Sequence, residues 1–398
     1  LGVAGSNPVA RSKYYSRHLY KASLPIKKDF FVNYIITGTT YNSIIADNPP
    51  KGIRALSKDE LLASDIRFCS DDKVYVPSET SLGTVLNRMD DQACASGINQ
   101  LKDKYLCRKA MSSLYPNFYF AKCSLESIPT LDVKGKQVVI KPLKGFFGTG
   151  VRFAGPDTDL HALQSDVSRE MKAYSRFFPS SVLTSSEFIV EEYIGGDEYA
   201  VDMYYDHVGI PRIMNIYRHP EARIAAYAHL MYYTNAGVFE SHLQAVTDFF
   251  ESFGNALSLT NFPIHAEFKL TDRGFIPIEF NPMRYGGFGL ADLTWHSYGF
   301  NPITAYFEGL APTWENVWGQ RAQENYAFIL AYNGKDVDVM HRSPDHDAFR
   351  DHLSTKAVLM AYVKLDHRTN PVFAIAYIKS EDEHRMRQLL DTEFNDFF

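Results

Sequence analysis

The segment AEFKLTDRGFIPIEFNPMRYGG, residues 266–287, predicts a hairpin with a polar site on it. Apolar and polar residues alternate on both sides of a short turn, as in two paired strands. Glu267 and Glu279 could then lie close together on one side, with Asn281 beyond them. Pro277 weakens the second strand, because proline in sheets is confined to edges and bulges. Two carboxylates and an amide suit a hard cation such as Mg²⁺. From these residues alone, a metal site and an ordinary polar hairpin are equally supported.

Arg284 follows directly after the hairpin. A guanidinium close to a bound cation could clamp a second anion, such as a substrate carboxylate. With the two glutamates, it makes the segment a candidate floor for an active site that uses a nucleotide and a metal.

The bulk properties are those of an ordinary globular protein. The chain has 398 residues, 45% hydrophobic and 22% charged, enough for two or three structural units. A net charge of -6 and the lack of a basic stripe argue against a nucleic-acid partner. No apolar run is long enough to span a bilayer, so no membrane association is expected. The four cysteines lack zinc spacing, which favours reduced thiols and a cytoplasmic protein.

The predicted organisation is a series of five segments. They are an artefactual or disordered tail 1–14, an N-terminal α/β domain 15–115, a lid 116–195, a central unit 196–315 that holds the metal site, and an α+β extension 316–398. Residues 1–12 lack the pattern of a signal peptide, and we expect them to be read-through from upstream DNA. Strands are predicted at 31–37, 66–69, 73–76, 137–142, 151–154, 187–193, 198–205, 212–217, 264–270, 275–280, 326–331, 357–363 and 372–378. Helices are predicted at 81–88, 102–113, 159–177, 243–253 and 381–390.

A glycine-rich loop follows the strand predicted at 137–142. Gly145, Gly148 and Gly150 would let the backbone approach an anion closely, and Lys141 at the strand end could reach phosphates. The loop lacks the ending of a Walker A motif. A glycine-rich hairpin without a ligand remains the alternative.

The segment FIVEEYIGGDE, residues 188–198, is an apolar strand followed by a turn. The backbone at Glu192 and Ile194 could form hydrogen bonds with an adenine, and the Glu198 carboxylate could bind a ribose. Taken alone, however, this segment is better interpreted as a hairpin with acidic turn residues. Lys104, which opens a helix, is either a phosphate ligand or a solvent-facing side chain.

Four motifs in order identify a resemblance. DK at 103–104, IKPLKGFFGTGV at 140–151, VEEYIGGDEYAVD at 190–202 and AEF…PIEFNPMR at 266–284 resemble the ATP-grasp superfamily in order and spacing, over roughly residues 100–300. Many members have E-x-N-x-R in the last motif, whereas here Met283 adds one residue before Arg284.

The resemblance implies an α+β ATP-grasp fold with an N-terminal α/β (pre-ATP-grasp) domain and a small mobile lid. It implies ATP and Mg²⁺ (or Mn²⁺) as cofactors. By resemblance, the phosphate-binding lysines are Lys104 and Lys141, and the lid loop over the phosphates holds Gly145, Gly148, Thr149 and Gly150. The adenine hinge is Glu191, Glu192 and Ile194, and the ribose carboxylate is Glu198. The metal ligands are Glu267, Glu279 and Asn281, and the catalytic residues are Arg284 and Lys141.

The implied reaction is an ATP-dependent ligation. A small-molecule carboxylate is phosphorylated to an acyl phosphate, which an amine then attacks; a homodimer is compatible with this activity. The alternatives are an ATP-grasp phosphotransferase, a carboxylate–thiol ligase, and a nucleotide-binding regulator that has lost turnover. The last is disfavoured by the intact lysines and metal ligands.

Overall fold

The computed structural model of the protein describes residues 20–22, 32–38, 49, 51–133, 135–145, 148–174, 183–319 and 321–398. Several sequence predictions lie outside the described residues: the tail 1–14 with the read-through at 1–12, position 31 of the first predicted strand, positions 146–147 of the glycine loop, and positions 175–177 of a predicted helix.

The strands of the described residues, in chain order, are β1 Tyr20–Ala22, β2 Asn33–Thr37, β3 Ile53–Ser57, β4 Lys73–Tyr75, β5 Phe120–Ser124, β6 Val138–Pro142, β7 Arg152–Ala154, β8 Glu187–Glu192, β9 Asp197–Tyr205, β10 Pro211–His219, β11 Met231–Thr234, β12 Pro263–Thr271, β13 Gly274–Pro282, β14 Leu310–Pro312, β15 Asn325–Tyr332, β16 Val358–Lys364 and β17 Val372–Ser380.

The α-helices of the same residues are α1 Lys58–Leu62, α2 Glu79–Leu86, α3 Gln92–Lys102, α4 Lys104–Ala110, α5 Leu160–Tyr174, α6 Ala236–Leu257, α7 Asp292–Tyr298, α8 Pro302–Glu308, α9 Trp314–Trp318, α10 His346–Ser354 and α11 Glu383–Arg387. Not one of these helices has both the length and the apolar character needed to cross a bilayer.

Two small sheets precede the main one. The first is parallel, in the order β3-β2-β4, and α1 lies in the crossover from β3 to β4. The second is antiparallel, in the order β5-β8-β6-β7. Its buried aliphatic side chains share a separate apolar core with α5, through Val167 and Met171. The glycine-rich loop connects β6 to β7 at the edge of this second sheet.

The main sheet has eight antiparallel strands in the order β13-β12-β9-β10-β11-β15-β17-β16. Helix α6 covers one face, where Phe253 stacks on Phe280 at 4.7 Å between ring centroids and Phe249 meets Phe268 edge-on at 5.1 Å. Side chains alternate between faces along a strand. The apolar contacts with α6 therefore leave the neighbouring polar residues of β12 and β13 on the opposite face.

One predicted strand is wrong. Residues 66–69 form no strand; Phe68 makes only an isolated bridge to Met89, because the apolar run is too short between polar turns.

The helix predicted at 102–113 is present with shorter bounds, as α4 Lys104–Ala110, and Lys102 is the last residue of the preceding helix α3. The Asp103 side chain accepts a hydrogen bond from the Leu106 amide at 3.0 Å, so it caps α4.

Candidate functional site

The β12–β13 hairpin places the predicted metal ligands side by side. Glu267 lies opposite Glu279, and His265 lies opposite Asn281. A bulge interrupts the register just after Glu267, and Pro277 lies beside it on the edge strand of the sheet. Directly opposed residues of an antiparallel pair face the same side. The prediction that the two glutamates share one side of a hairpin is therefore confirmed.

Two lysines from the α3–α4 break reach these acceptors. Lys104 Nζ donates to Glu279 Oε1 at 3.0 Å, and Lys102 Nζ donates to Asn281 Oδ1 at 2.9 Å. Burial opposes the charge on Lys104, but the ion pair with Glu279 outweighs it and raises the Lys104 pKa. The structure thus brings a predicted phosphate-binding lysine against a predicted metal carboxylate. It also adds Lys102, which the sequence did not single out.

The oxygen donors of this hairpin are chemically suited to a hard cation. Glu267, Glu279 and Asn281 offer two carboxylates and one amide oxygen, the ligand types that Mg²⁺ and Mn²⁺ take. Across the described ranges, no three His, Cys, Asp or Glu side chains meet in a metal-holding group. A cation held here would therefore also need oxygens from a bound ligand, as Mg²⁺ does when it binds with phosphates.

Glu191 lies buried between two cations. Its Oε1 forms an ion pair with Lys141, and its Oε2 accepts from Arg108 Nε at 2.8 Å. Burial alone would raise the Glu191 pKa, but the two positive charges hold it down at about 2. Arg108 Nη1 and Nη2 are buried without a hydrogen-bond partner in the described residues, while the guanidinium lies 4.1 Å from the centre of the Phe118 ring. These two donors are therefore available to a ligand acceptor beside Glu191.

The predicted hinge lies where β8 ends. Glu192 accepts from the Tyr119 amide at 3.2 Å and from Arg273 Nη2 at 2.8 Å, so its side chain faces away from Glu191 toward the surface. Ile194 is buried and packs with Phe118. The backbone of this segment is therefore anchored on both sides of the bend.

The glycine loop shows two different needs for glycine. Gly148 and Gly150 have φ of 68° and 71°, in the left-handed region that glycine favours. A Cβ on Gly150 would lie 2.7 Å from Met171 Sδ and 2.9 Å from Pro142 Cγ, whereas one on Gly148 would meet no described atom within 4 Å. Thr149 between them is buried, and Gly145 opens the loop. Gly150 is thus required for packing as well as for backbone conformation.

Two basic side chains contact the Glu198 carboxylate. His219 Nδ1 lies 2.6 Å from its Oε1, and Lys269 Nζ lies 2.9 Å from its Oε2. Burial would raise the Glu198 pKa, but His219 and Lys269 lower it to about 2. The His219 ring in turn stacks on Tyr232 with 4.0 Å between centroids. The predicted ribose carboxylate is thus ionised and fixed in orientation.

Arg284 is turned toward helix α2. Its Nη2 donates to Glu79 Oε1 at 2.7 Å, and Glu79 Oε2 lies 2.6 Å from Lys102 Nζ. Burial opposes ionisation of Glu79, but Lys102 and Arg284 hold its pKa at about 2. The additional residue, Met283, has φ of 68° and is buried, while its backbone bonds Pro263 and Val76. Because Met283 adopts a left-handed conformation, the chain accommodates the additional residue. Arg284 then still lies near Lys102, since both contact Glu79.

Behind the hairpin, Asp202 joins two parts of the site. Its Oδ1 lies 2.8 Å from His265 Nδ1 and accepts from the Gly286 amide at 2.8 Å, while Tyr217 donates to Oδ2. His265 Nε2 lies 3.6 Å from Glu267 Oε1. Asp202 therefore links the orientation of Glu267 to the turn after Arg284.

One cavity is lined by five of these polar groups. It is lined by Leu101, Lys102, Lys104, Cys107, Arg108, Met111, Glu191, Pro277, Ile278, Glu279 and Phe280. The lining comes from α3, α4, β8 and β13, so the cavity lies between the main sheet and the second small sheet. Three charged side chains that the sequence singled out meet there: Lys104, Glu191 and Glu279.

The central part of the chain matches a known protein family. Residues 135–292 match the family model described as an ATP-grasp domain. This part of the chain is therefore similar to an ATP-grasp domain. Strands β6, β7 and β8 of the second small sheet, the glycine loop and the β12–β13 hairpin all lie within the matched residues, whereas β5 precedes them. The predicted α+β fold of this type is therefore confirmed.

Solved structures share the ATP-grasp fold over most of the chain. An L-amino acid ligase from Bacillus licheniformis is 12% identical, covers 92% of this chain and 97% of its own, and has a TM-score of 0.58. A phosphoribosylamine–glycine ligase from Thermotoga maritima is 10% identical, covers 92% and 96%, and has a TM-score of 0.57. A biotin carboxylase from Campylobacter jejuni is 13% identical, covers 92% and 91%, and has a TM-score of 0.54. No curated protein sequence matches the chain. At these identities the likeness establishes the fold.

Several charged residues at the site were not identified from the sequence. They are Glu79, Lys102, Arg108, Asp202, His219 and Lys269. Lys269 carried a usable signal, because it lies on a predicted strand with alternating polarity. The others depend on contacts between distant segments, which one sequence does not specify.

Proposed function

We propose that the protein is an ATP-dependent ligase that forms a C–N bond between a small-molecule carboxylate and an amine. The observation that carries this proposal is the contact of Lys104 with Glu279, beside Lys102 and Asn281. Cationic and anionic side chains alternate here at hydrogen-bond distance in a buried place. Such a cluster can exchange partners with a ligand that brings both a cation and phosphates.

The proposed roles follow from charge. Lys104 and Lys141 bind phosphate oxygens, and Glu267, Glu279 and Asn281 hold Mg²⁺ or Mn²⁺. The metal would neutralise charge on the transferring phosphoryl group. In the structure, Glu279 neutralises Lys104. When Glu279 instead binds the cation, Lys104 becomes available to bind the phosphates. The unused Nη donors of Arg108 provide further positive charge nearby.

The nucleoside is proposed to lie along the hinge. Glu191, Glu192 and Ile194 supply the adenine contacts, and Glu198 receives the ribose hydroxyls. The loop with Gly145, Gly148, Thr149 and Gly150 covers the phosphates, and residues 116–195 act as the lid. Exclusion of water by such a lid protects a reactive intermediate from hydrolysis.

The chemistry proceeds in two displacements. A carboxylate oxygen of the substrate attacks the γ-phosphorus, and the bond to the departing ADP oxygen breaks, which gives an acyl phosphate. The amine nitrogen then attacks the acyl carbon, inorganic phosphate leaves, and the nitrogen loses a proton. Lys141 and Arg284 are proposed to stabilise the charge that develops, with Arg284 clamping the substrate carboxylate.

The similar structures support this choice among ATP-grasp activities. Two of them are named as an L-amino acid ligase and a phosphoribosylamine–glycine ligase, and the biotin carboxylase was solved as a β,γ-ATP complex. These names refer to the substrates of the similar proteins. On that basis we select amino acids and other small carboxylates as the first substrates to test with this protein.

A substrate screen tests the proposal directly. Phosphate release is measured with ATP and Mg²⁺ across a panel of amino acids, with and without hydroxylamine. We expect release that depends on one acid, and a hydroxamate of that acid when hydroxylamine replaces the amine. Release that depends on an alcohol, without hydroxamate, would instead identify a phosphotransferase, and dependence on a thiol would identify a thiol ligase.

A matched pair of variants tests the metal assignment. Glu279→Gln should abolish phosphate release, because it removes a charged ligand without changing the size of the side chain. Glu251→Gln, on the exposed side of α6, makes the same chemical change away from the site and should retain activity. Turnover by Glu279→Gln at the wild-type rate would refute the metal role. Tight ATP binding by the wild type with no turnover on any acid would favour a regulator.

A further inference from the structure

The Glu191 carboxylate lies between two cations that contact it unequally. Lys141 of β6 pairs with Oε1, and Arg108 of α4 donates to Oε2 through Nε at 2.8 Å. The three side chains are buried, since their exposed fractions are 7%, 5% and 2% for Lys141, Arg108 and Glu191. Neither Nη1 nor Nη2 of Arg108 has a hydrogen-bond partner among the described residues. Arg108 thus contacts Glu191 through one nitrogen of a group that can supply more.

The Arg108 guanidinium is placed to take both oxygens of Glu191. Its Nε and Nη donors lie in one planar group that matches the two oxygens of a carboxylate. Because Nε already lies on Oε2, rotation of the carboxylate about its last side-chain torsion would bring Oε1 toward an Nη atom. This terminal torsion is soft in glutamate. The Phe118 ring, 4.1 Å from the guanidinium, holds the cation in place during such a rotation. No solvent access is needed, since both partners are already in contact.

The proposed role of Lys141 makes such an exchange necessary. A lysine that moves to phosphate oxygens leaves Glu191 Oε1, and a buried carboxylate that loses a partner is strongly destabilised. Burial opposes ionisation of Glu191, and its pKa is about 2 because Lys141 and Arg108 outweigh that burial. The move of Lys141 to a nucleotide therefore requires a replacement donor for Oε1.

We propose that Arg108 is a positioning residue that takes over Glu191 when ATP draws Lys141 to its phosphates. In the structure the two cations share the carboxylate; with ATP, Arg108 holds both oxygens through Nε and an Nη atom, and Lys141 is released. Each carboxylate oxygen keeps a second lone pair for the adenine. Arg108 acts through Glu191 and Lys141 and does not touch the nucleotide. This inference rests on the proposed ATP site, but it does not require turnover or a particular acceptor.

Calorimetric titration of the full chain with two ligands, ATP with Mg²⁺ and adenosine, tests the exchange. Adenosine has the base and the ribose but no phosphates, so Lys141 can stay on Glu191 when it binds. Arg108→Gln should weaken ATP binding by about tenfold or more, because Lys141 can then leave only an unpaired buried anion. Adenosine binding should be nearly unchanged. Arg108→Lys keeps the charge but lacks the planar pair of donors, so its ATP affinity should lie between those of the wild type and Arg108→Gln.

A double-mutant cycle separates this role from direct contact with the phosphates. Glu191→Gln removes the buried anion, so Arg108→Gln added to it should weaken ATP binding no further. Thermal unfolding of each variant sets a titration temperature at which it is folded. The control is Arg169→Gln on α5, the same change at an exposed arginine, which should bind both ligands as the wild type does.

Three results would overturn the exchange. They are normal ATP binding by Arg108→Gln, equal weakening of ATP and adenosine, which would leave Arg108 a purely structural role, and an undiminished ATP loss in the Glu191→Gln background, which would place Arg108 on the phosphates themselves. A wild type that binds no ATP would refute the exchange and the proposed ATP site together. ATP binding without turnover on any substrate would refute the ligase function alone.

Discussion

At the residue scale, the site is a set of buried charges that neutralise one another. Glu191 with Lys141 and Arg108, and Glu79 with Lys102 and Arg284, are each one carboxylate between two cations. Removing one partner from a buried ion pair leaves an uncompensated charge, which is much more costly than breaking an exposed pair. Stability should therefore depend on these two glutamates.

Adjacent glutamates provide a test of this contrast. Glu191→Gln should lower the free energy of unfolding by about 3–5 kcal/mol, because Lys141 and Arg108 stay buried without their anion. Glu192→Gln breaks a partly exposed pair with Arg273 and should cost about 0–1 kcal/mol. Urea unfolding measures both. Equal losses in the two variants would contradict the buried network.

The acid side of the stability curve should reflect the same groups. Glu79 and Glu191 have pKa values of about 2 in the folded protein, below the value of about 4.3 in unfolded chains. A lowered pKa contributes stability above the unfolded value, and that contribution is lost as pH falls through the folded one. The free energy of unfolding should decrease from about pH 4.5 toward pH 2.

The variant Glu79→Gln should show a shallower decrease over the same acid range, although it is less stable at neutral pH. Glu251→Gln, at an exposed position, should keep the wild-type slope. Urea unfolding at a series of pH values measures the difference. A Glu79→Gln slope equal to that of the wild type would exclude Glu79 as a source of the acid sensitivity.

At the element scale, local breaks in regular structure position the functional side chains. Asp103 ends α3 and caps α4, and this break directs Lys102 and Lys104 toward the same strand. Met283, in the left-handed region, lets the chain place Arg284 against Glu79 of α2. The glycine loop between β6 and β7 is the third such break, and it can be tested.

Two glycines of that loop separate backbone strain from packing. Gly148→Ala and Gly150→Ala both place a Cβ at positive φ, which costs about 1–2 kcal/mol. Only Gly150→Ala also meets Met171 and Pro142, so it should cost about 1–3 kcal/mol more. Thermal unfolding and hydrogen exchange of the second small sheet measure the difference. Equal effects would mean that Met171 moves aside freely.

At the scale of the whole molecule, the main sheet and the second small sheet bring together segments from Glu79 to Arg284. The cavity between them is lined by three separate stretches of chain, 101–111, Glu191 and 277–280. A ligand that bridges these segments should stabilise the entire fold.

Thermal unfolding with ATP tests this coupling. A non-hydrolysable ATP analogue with Mg²⁺, at about 100 times its dissociation constant, should stabilise the wild type by about 2.7 kcal/mol. Without Mg²⁺ the shift should be smaller, and Glu279→Gln should lose the Mg²⁺-dependent part. Glu251→Gln should keep it. An undiminished Mg²⁺-dependent shift in Glu279→Gln would remove that residue from the metal site.

Much of the fold was predictable because alternation and glycine spacing are local signals. The β12–β13 hairpin, the β6 strand before the glycine loop and the β17 strand all appear near their predicted positions. Strands β1, β3, β5, β11 and β14 were missed, since each is only three to five residues long and shows no clear alternation. The long helix α6 extends beyond the predicted 243–253 because packing against the main sheet stabilises its ends.

The sequence by itself determined the order of the four motifs and the hairpin that sets Glu267 against Glu279. Both depend on spacing along the chain and on the two-residue period of a strand. Only the tertiary structure decided which charged and polar side chains meet: Glu79 with Arg284, Lys102 with Asn281, and Arg108 with Glu191. The physical reason is that a buried charge must find its partner in space, and these partners lie 83 to 205 positions apart in the chain.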